Sequence, residues 1–85
     1  MNEIPSQAEL KYKEVDFILE WGRKLLAVEV KLTSKPKYAD VETLRLFLAE
    51  YPETVAGLLV HTGNEIKMMH EKIVAVPWVM LGGVR

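Results

Sequence analysis

The sequence feature that most restricts the fold is a pair of stretches in which apolar and polar residues alternate on either side of Gly22. Residues 13–20 alternate first, and residues 25–32 repeat the pattern. A period of two places successive side chains on opposite faces of a β-strand. A glycine between two such runs favours a tight turn. The two stretches therefore predict a β-hairpin.

The turn at Gly22 fixes which residues face each other across this hairpin. A two-residue turn at Gly22 and Arg23 and a four-residue loop over residues 21–24 give the same register, in which paired residue numbers add up to 45. One face then carries only apolar pairs: Val15 with Val30, Phe17 with Val28, and Leu19 with Leu26. The opposite face collects charge, because Asp16 faces Glu29 and Glu14 faces Lys31.

The rest of the chain predicts a helix and further strands. From Asp40 to Tyr51 apolar residues recur at three- and four-residue steps, which is typical of an amphipathic helix with Asp40 as its N-cap. Residues 55–63 form an apolar run expected of a strand buried on both faces, and residues 65–70 and 73–80 are further strand-like pieces. We interpret the order as β-β-α-β-β in a small mixed α/β sheet, with the strands flanking the helix parallel.

Length and composition bound the functional classes. The 85 residues predict a single domain over residues 1–85, with a core over about residues 12–81. The chain has no cysteine, and its first ten residues carry neither a basic start nor an apolar run, so we expect a cytoplasmic protein. No stretch reaches the ~20 apolar residues of a membrane-spanning helix, and we expect no membrane association. Because the formal net charge is -1, any nucleic-acid contact must be local.

The opposition of Asp16 and Glu29 needs a chemical explanation. Like charges directly opposed across a hairpin destabilise the sheet. A divalent cation relieves that repulsion, and carboxylate oxygens are ligands that Mg²⁺ or Mn²⁺ prefers. Lys31 lies on the same face as Glu29, where it can stabilise charge or orient a water molecule. The alternative is a solvated face on which Lys31 pairs with Glu14, worth at most about 1 kcal/mol.

These residues also carry a family resemblance. Asp16 followed by Glu29-Val30-Lys31 resembles the signature of the PD-(D/E)XK nuclease superfamily. More narrowly, "KEVDFILE", "LLAVEVKLTSKP" and "AVPWVML" resemble the nuclease-like domain of unknown function at the C-terminus of many bacterial and archaeal AAA-type ATPases. The resemblance implies a restriction-endonuclease-like sheet, truncated at the N-terminal helix, and an ATPase partner.

The resemblance also implies residue roles. Asp16 and Glu29 would bind Mg²⁺ or Mn²⁺, with the carbonyl of Val30 as a further ligand. Asp16, Glu29 and Lys31 would form the catalytic set, in which Lys31 assists the nucleophile or the transition state. The implied function is a metal-dependent nuclease acting on DNA phosphodiester bonds. The alternative is a catalytically inactive nuclease-fold module that binds DNA or protein and dimerises.

Three further groups of residues carry weaker predictions. Lys31, Lys35 and Lys37 form an acid-free basic cluster, in which Lys35 and Lys37 are candidate nucleic-acid contacts; an ordinary solvated loop is the alternative. His61 ends an apolar run and is expected to be structural. The apolar run from residue 73 to residue 81 predicts surface that a short chain cannot cover. We therefore expect a homodimer with Trp78 or Met80 near its interface.

Overall fold

A five-stranded mixed sheet organises residues 15–82, the part of the chain that the computed structural model describes. Its strands are β1 (Phe17–Trp21), β2 (Lys24–Val30), β3 (Thr54–His61), β4 (Lys67–His70) and β5 (Ile73–Pro77). Their order across the sheet is β1-β2-β3-β5-β4. A 3₁₀ turn (Tyr38–Val41) leads into helix α1 (Glu42–Glu50), and helix α2 (Trp78–Gly82) follows β5 directly.

The first two strands form the hairpin that the alternation predicts. Phe17 pairs with Val28 and Trp21 pairs with Lys24, which confirms the register and leaves a turn of only two residues. Gly22 occupies the first of these positions with a φ of 61°, a conformation that side-chain-bearing residues rarely adopt. Two-residue hairpin turns of type II′ have glycine at this position. Such turns are favoured in hairpins because their twist matches that of the flanking strands.

The hairpin ladder stops earlier than the alternation predicts. β1 begins at Phe17, so neither the predicted pair of Val15 with Val30 nor the predicted pair of Asp16 with Glu29 belongs to the ladder of the two strands. The backbone N–H of Val30 donates to the carboxylate of Asp16, and Val15 lies in the buried core. The predicted pair of Glu14 with Lys31 lies outside the described residues.

The predicted helix and later strands are present with shifted ends. The carboxylate of Asp40 accepts the backbone N–H of Lys37 at 2.8 Å, so it caps the 3₁₀ turn, and α1 begins only at residue 42. Strand β3 runs parallel to β2, as predicted. Both later pieces form strands, so the sheet has one strand more than the order β-β-α-β-β. The last strand ends at Pro77, and residues 78–82 are helical instead of extended.

The main hydrophobic core lies between α1 and one face of the sheet. Leu44 and Phe47 of α1 are fully buried, and the same cluster contains Leu25, Val41, Ala27, Leu59, Ile73 and Ala75. Gly57 lies beneath the helix, because a Cβ atom there would lie 3.5 Å from the Cβ of Leu44 and 3.2 Å from Cγ1 of Ile73. We call this side of the sheet the helix face.

The opposite side of the sheet, the open face, is apolar but poorly covered. One row of paired side chains crosses all five strands: Phe17, Val28, Leu58, Val74 and Met68. Neighbouring rows contain Leu19, Leu26 and Ala56 on one side and Val30, Val60 and Val76 on the other. Phe17 at one end of the long row is 57% exposed and Met68 at the other is 63% exposed. The face that alternation makes wholly apolar is therefore the one that α1 does not cover.

Candidate metal and nucleic-acid site

The candidate residues gather at one edge of the sheet. Strands β2, β3 and β5 are parallel, so their carboxyl ends meet at the same edge. Because β1 is antiparallel to β2, Asp16, which immediately precedes β1, also lies at this edge. Open α/β sheets bind ligands outside the carboxyl ends of their strands. The topology therefore places Asp16, Glu29 and Lys31 where such a sheet binds a ligand.

Asp16 is held by a hydrogen bond to the neighbouring strand. Its Oδ2 atom accepts the backbone N–H of Val30 at 2.8 Å. That distance is within the normal range of an N–H···O hydrogen bond. Since Val30 lies between Glu29 and Lys31, this bond ties Asp16 to the segment that carries the other two candidate residues. The side chain of Asp16 remains exposed at the surface.

Glu29 is a buried carboxylate on the helix face. It is only 3% exposed and pairs in register with Leu59, whose side chain belongs to the core. The Nζ atom of Lys31 lies 3.5 Å from its Oε2 atom. Burying a carboxylate is costly unless it is paired or hydrogen-bonded. The Lys31 side chain is 39% exposed, so this ion pair connects the buried carboxylate to the surface.

The donor atoms at this edge suit a hard cation. Two carboxylates and the carbonyl of Val30 are all oxygen donors, the class that Mg²⁺ and Mn²⁺ prefer over the nitrogen and sulfur ligands common for zinc. Within residues 15–82, no three His, Cys, Asp or Glu side chains form a group that could hold a metal ion. A cation at Asp16 and Glu29 would therefore need backbone carbonyl or water oxygens to complete its coordination.

The two lysines predicted to contact nucleic acid have different surroundings. Lys35 lines a cavity of about 340 Å³ together with Ser34, Pro36, His61, Asn64, Glu65 and Lys67. Lys37 is exposed, and its backbone N–H caps the 3₁₀ turn through Asp40. Sequence reasoning missed Lys67, the first residue of β4. Only the order of the strands, which places the start of β4 beside the end of β5, could have indicated it.

His61 has the environment of a structural histidine. It is 2% exposed, its Nδ1 atom accepts the backbone N–H of Gly63 at 3.0 Å, and its Nε2 atom lies 3.0 Å from the carbonyl oxygen of Glu65. Because Nδ1 accepts, Nε2 carries the proton and donates to that carbonyl. Both ring nitrogens are thus engaged in holding the loop after β3. A Cβ atom at Gly63 would clash with the carbonyl of Ser34, so this loop requires glycine.

Residues 8–81 match the profile of the family described as Domain of unknown function (DUF4143). The chain belongs to this family. Neither the curated proteins nor the solved structures contain a match to it. Since the description of DUF4143 states no activity, the nuclease assignment, the metal and the ATPase partner of this DUF4143 domain stay predictions. Within residues 15–82 no helix is both long and apolar enough to cross a membrane.

Proposed function

We propose that this DUF4143 domain is a metal-dependent nuclease-like domain of the restriction-endonuclease-like type, acting on DNA phosphodiester bonds. The observation that carries the proposal is that the side chains of Asp16, Glu29 and Lys31 all interact within one short segment, residues 29–31. Asp16 accepts the N–H of Val30, and Lys31 pairs with Glu29 on either side of that residue. The resemblance of these four residues to the PD-(D/E)XK signature gives the arrangement its chemical meaning.

Each residue has a defined part in this proposal. Asp16, Glu29 and the carbonyl of Val30 would hold Mg²⁺ or Mn²⁺, which fits their oxygen donors. When bound, such an ion supplies Lewis-acid activation of a water molecule and of the scissile phosphate. The ion pair with Glu29 holds the ammonium of Lys31 at the same edge, where its positive charge can stabilise a phosphate oxygen. The hydrogen bond from Val30 orients Asp16 without a metal.

Lys35 and Lys67 are the DNA contacts in this proposal. Both line the 340 Å³ cavity beside His61, at the end of β3. The backbone N–H of Thr62, which directly follows β3, donates to the carbonyl of Thr33. This bond holds the segment that leads to Lys35 against the end of β3. Lysine side chains at such a cavity attract phosphate groups, and this attraction weakens with salt. The neighbouring Glu65 lines the same cavity and opposes binding, so the contact is expected to be weak.

A specific observation favours the alternative of a non-catalytic module. Asp16 and Glu29 both have protein partners, the N–H of Val30 and the ammonium of Lys31. Such partners are sufficient to explain why the two carboxylates are tolerated at a sheet edge. In this second proposal the D…ExK residues stabilise the hairpin end, and the domain binds DNA or a protein such as an ATPase without cutting.

A nuclease assay with matched variants separates the two proposals. Branched, single-stranded and double-stranded DNA are incubated with the chain in Mg²⁺, in Mn²⁺ and in a chelator. The nuclease proposal expects metal-dependent cleavage that Asp16→Asn or Lys31→Met lowers by about a hundredfold or more. Calorimetry with Mn²⁺ alone should show binding by the wild type and none by Asp16→Asn.

The hairpin supplies its own controls. Glu20 on β1 and Lys24 on β2 are exposed residues at the turn end of the same two strands. Glu20→Gln and Lys24→Met should retain cleavage and Mn²⁺ binding. Cleavage that persists unchanged in Asp16→Asn would overturn the assignment of Asp16 to the metal site. Mn²⁺ binding without cleavage would overturn the nuclease proposal and leave the binding module.

A further inference from the structure

The three rows of the open face form a continuous apolar surface, and Lys24, which pairs with Trp21, places one charge at the turn end of this face. The rows contain aliphatic residues, Phe17 and Met68. Several of these side chains are substantially exposed, among them Leu19 at 50% and Val30 at 44%. Monomeric proteins rarely expose a contiguous apolar patch larger than a few hundred Å². The described residues therefore leave a surface that a second body must cover.

We propose that a second copy of this chain covers the open face, forming a two-fold dimer in which the two sheets pack face to face. The proposal is independent of the proposed nuclease function. It differs from an interface limited to Trp78 or Met80, because the contact is centred on the sheet itself. Two sheets whose apolar faces meet form a sandwich about 10 Å thick, with their strands ~30° apart.

The size of the open face suits this role. The long row crosses five strands and each neighbouring row crosses three, so spacings of ~4.8 Å between strands and ~7 Å between side chains of one face give a projected area on the order of 400 Å². The exposed side chains of Trp21, Leu32 and Trp78 lie outside these rows and enlarge the apolar surface. Standard interfaces bury about 800 Å² per partner. Together, the rows and the further apolar residues are of the size that one partner contributes to a stable dimer interface.

The chemistry of the open face favours an identical partner. A two-fold interface brings the same patch together from both subunits, so the patch must be self-complementary. The three apolar rows meet this condition in any rotation that keeps the Lys24 side chains of the two copies apart at the rim of the contact. The net charge of the chain is only -1, so long-range repulsion between two copies is small. Aromatic and methionine side chains such as Phe17 and Met68 are also enriched in interface cores.

An apolar groove extends the open face at the carboxyl edge of the strands. It has a volume of about 220 Å³ and is lined by Val30, Lys31, Leu32, Val60 and Trp78 among others. Trp78 is 57% exposed although it begins the helix that follows the buried Pro77. A large side chain of the second copy can fill this groove. The expected dimer therefore buries the sheet rows and Trp78 in one continuous contact.

Oligomeric state is the direct test. Light scattering of the 85-residue chain from about 1 to about 100 µM should give a mass of about 19.4 kDa, twice the 9.7 kDa of one chain. Phe17→Lys and Met68→Lys introduce charge at opposite ends of the long row, at positions exposed enough for the fold to tolerate it. Each should weaken dimerisation about thirtyfold or more. Leu46→Lys is the matched control, because Leu46 is 47% exposed on α1. It should leave the mass unchanged.

A cross-linking experiment locates the contact. The chain has no cysteine, so Leu58→Cys introduces a single thiol on the middle strand and in the middle row. A bis-maleimide with a reach of ~10 Å should join two copies of this variant, and should not join two copies of Leu46→Cys. Folding of each variant is checked by circular dichroism. A monomer at about 100 µM would overturn the proposal, with the face then covered by another segment of polypeptide. A dimer that both lysine variants leave intact would also overturn it.

Discussion

The two faces of the sheet differ in how well they are covered. The difference is opposite to the one that the polarity of their side chains alone would predict. The helix face buries the carboxylate of Glu29 at 3% exposure, and Gly57 on the same face leaves room for α1. The three rows of the open face carry only apolar side chains, yet Phe17 at their edge is 57% exposed. The position of α1, and not the polarity of the alternating residues, decides which face is covered. A carboxylate on the covered face is therefore a stronger pointer to function than the motif spacing.

The largest difference in stability between the two faces is expected for two phenylalanines, one packed on the helix face and one on the open face. Phe47→Ala removes a fully buried ring of α1 that lies 4.6 Å from the ring of Tyr51, and should cost about 3–5 kcal/mol of unfolding free energy. Phe17→Ala on the open face should cost the monomer less than about 1 kcal/mol. Urea denaturation at two protein concentrations measures both. If the dimer forms, the cost of Phe17→Ala grows with concentration, because association stabilises the folded state. Equal costs at high dilution would contradict the distinction between the faces.

An intermediate effect is expected at two neighbouring residues of β3. Gly57→Val places a branched side chain where a Cβ already comes within 3.2 Å of Ile73 beneath α1, and should cost about 1–3 kcal/mol through overpacking. Ala56→Val adds the same kind of side chain to the opposite face, where strands favour β-branched residues, and should change stability by less than about 0.5 kcal/mol. Thermal unfolding of the two variants provides the measurement. A larger loss for Ala56→Val would show that the open face is already covered within one chain.

The smallest effect concerns the carboxylate at the hairpin end. Asp16→Ala removes the acceptor for the N–H of Val30 and should cost about 1 kcal/mol. Asp16→Asn keeps an acceptor oxygen and should be close to neutral, which makes it the cleaner probe of metal binding. Both unfolding free energies are measured without a divalent cation. A loss of several kcal/mol for Asp16→Asn would show that the charge itself is structural and would remove the main support for a metal site.

Local patterns were sufficient to predict the hairpin and its register. Gly22 fixes the turn, and period-two alternation on both sides fixes the pairing, so neither depends on distant residues. The parallel arrangement of β2 and β3 followed from the helix between them. The covered face could not be predicted in this way, because it depends on where α1 packs. The helix after Pro77 was also missed, since a short apolar run is compatible with either a strand or a helix.

The candidate site was predictable only in its residue types. The spacing from Asp16 to Glu29 and Lys31 could be read along two strands, because their register is local. The bond between Asp16 and Val30 depends on the ladder ending at Phe17, which no residue pattern indicates. Lys67 joins Lys35 at the cavity only after β4 takes its place at the far side of the sheet. Contacts set by strand order are thus beyond sequence reasoning of this kind.

The order of the strands also has a consequence for the time course of folding. β1 and β2 are joined by two residues and can pair within ~1–10 µs, whereas Val28 and its partner Leu58 are far apart in sequence, so their pairing closes a much longer loop. Contacts between residues distant in sequence form more slowly. The long apolar row is therefore complete only when β5 and β4 have joined, at the end of folding. Refolding should show early amide protection in β1 and β2, followed by a slower phase, and if the dimer forms, the rate of its final step rises with protein concentration.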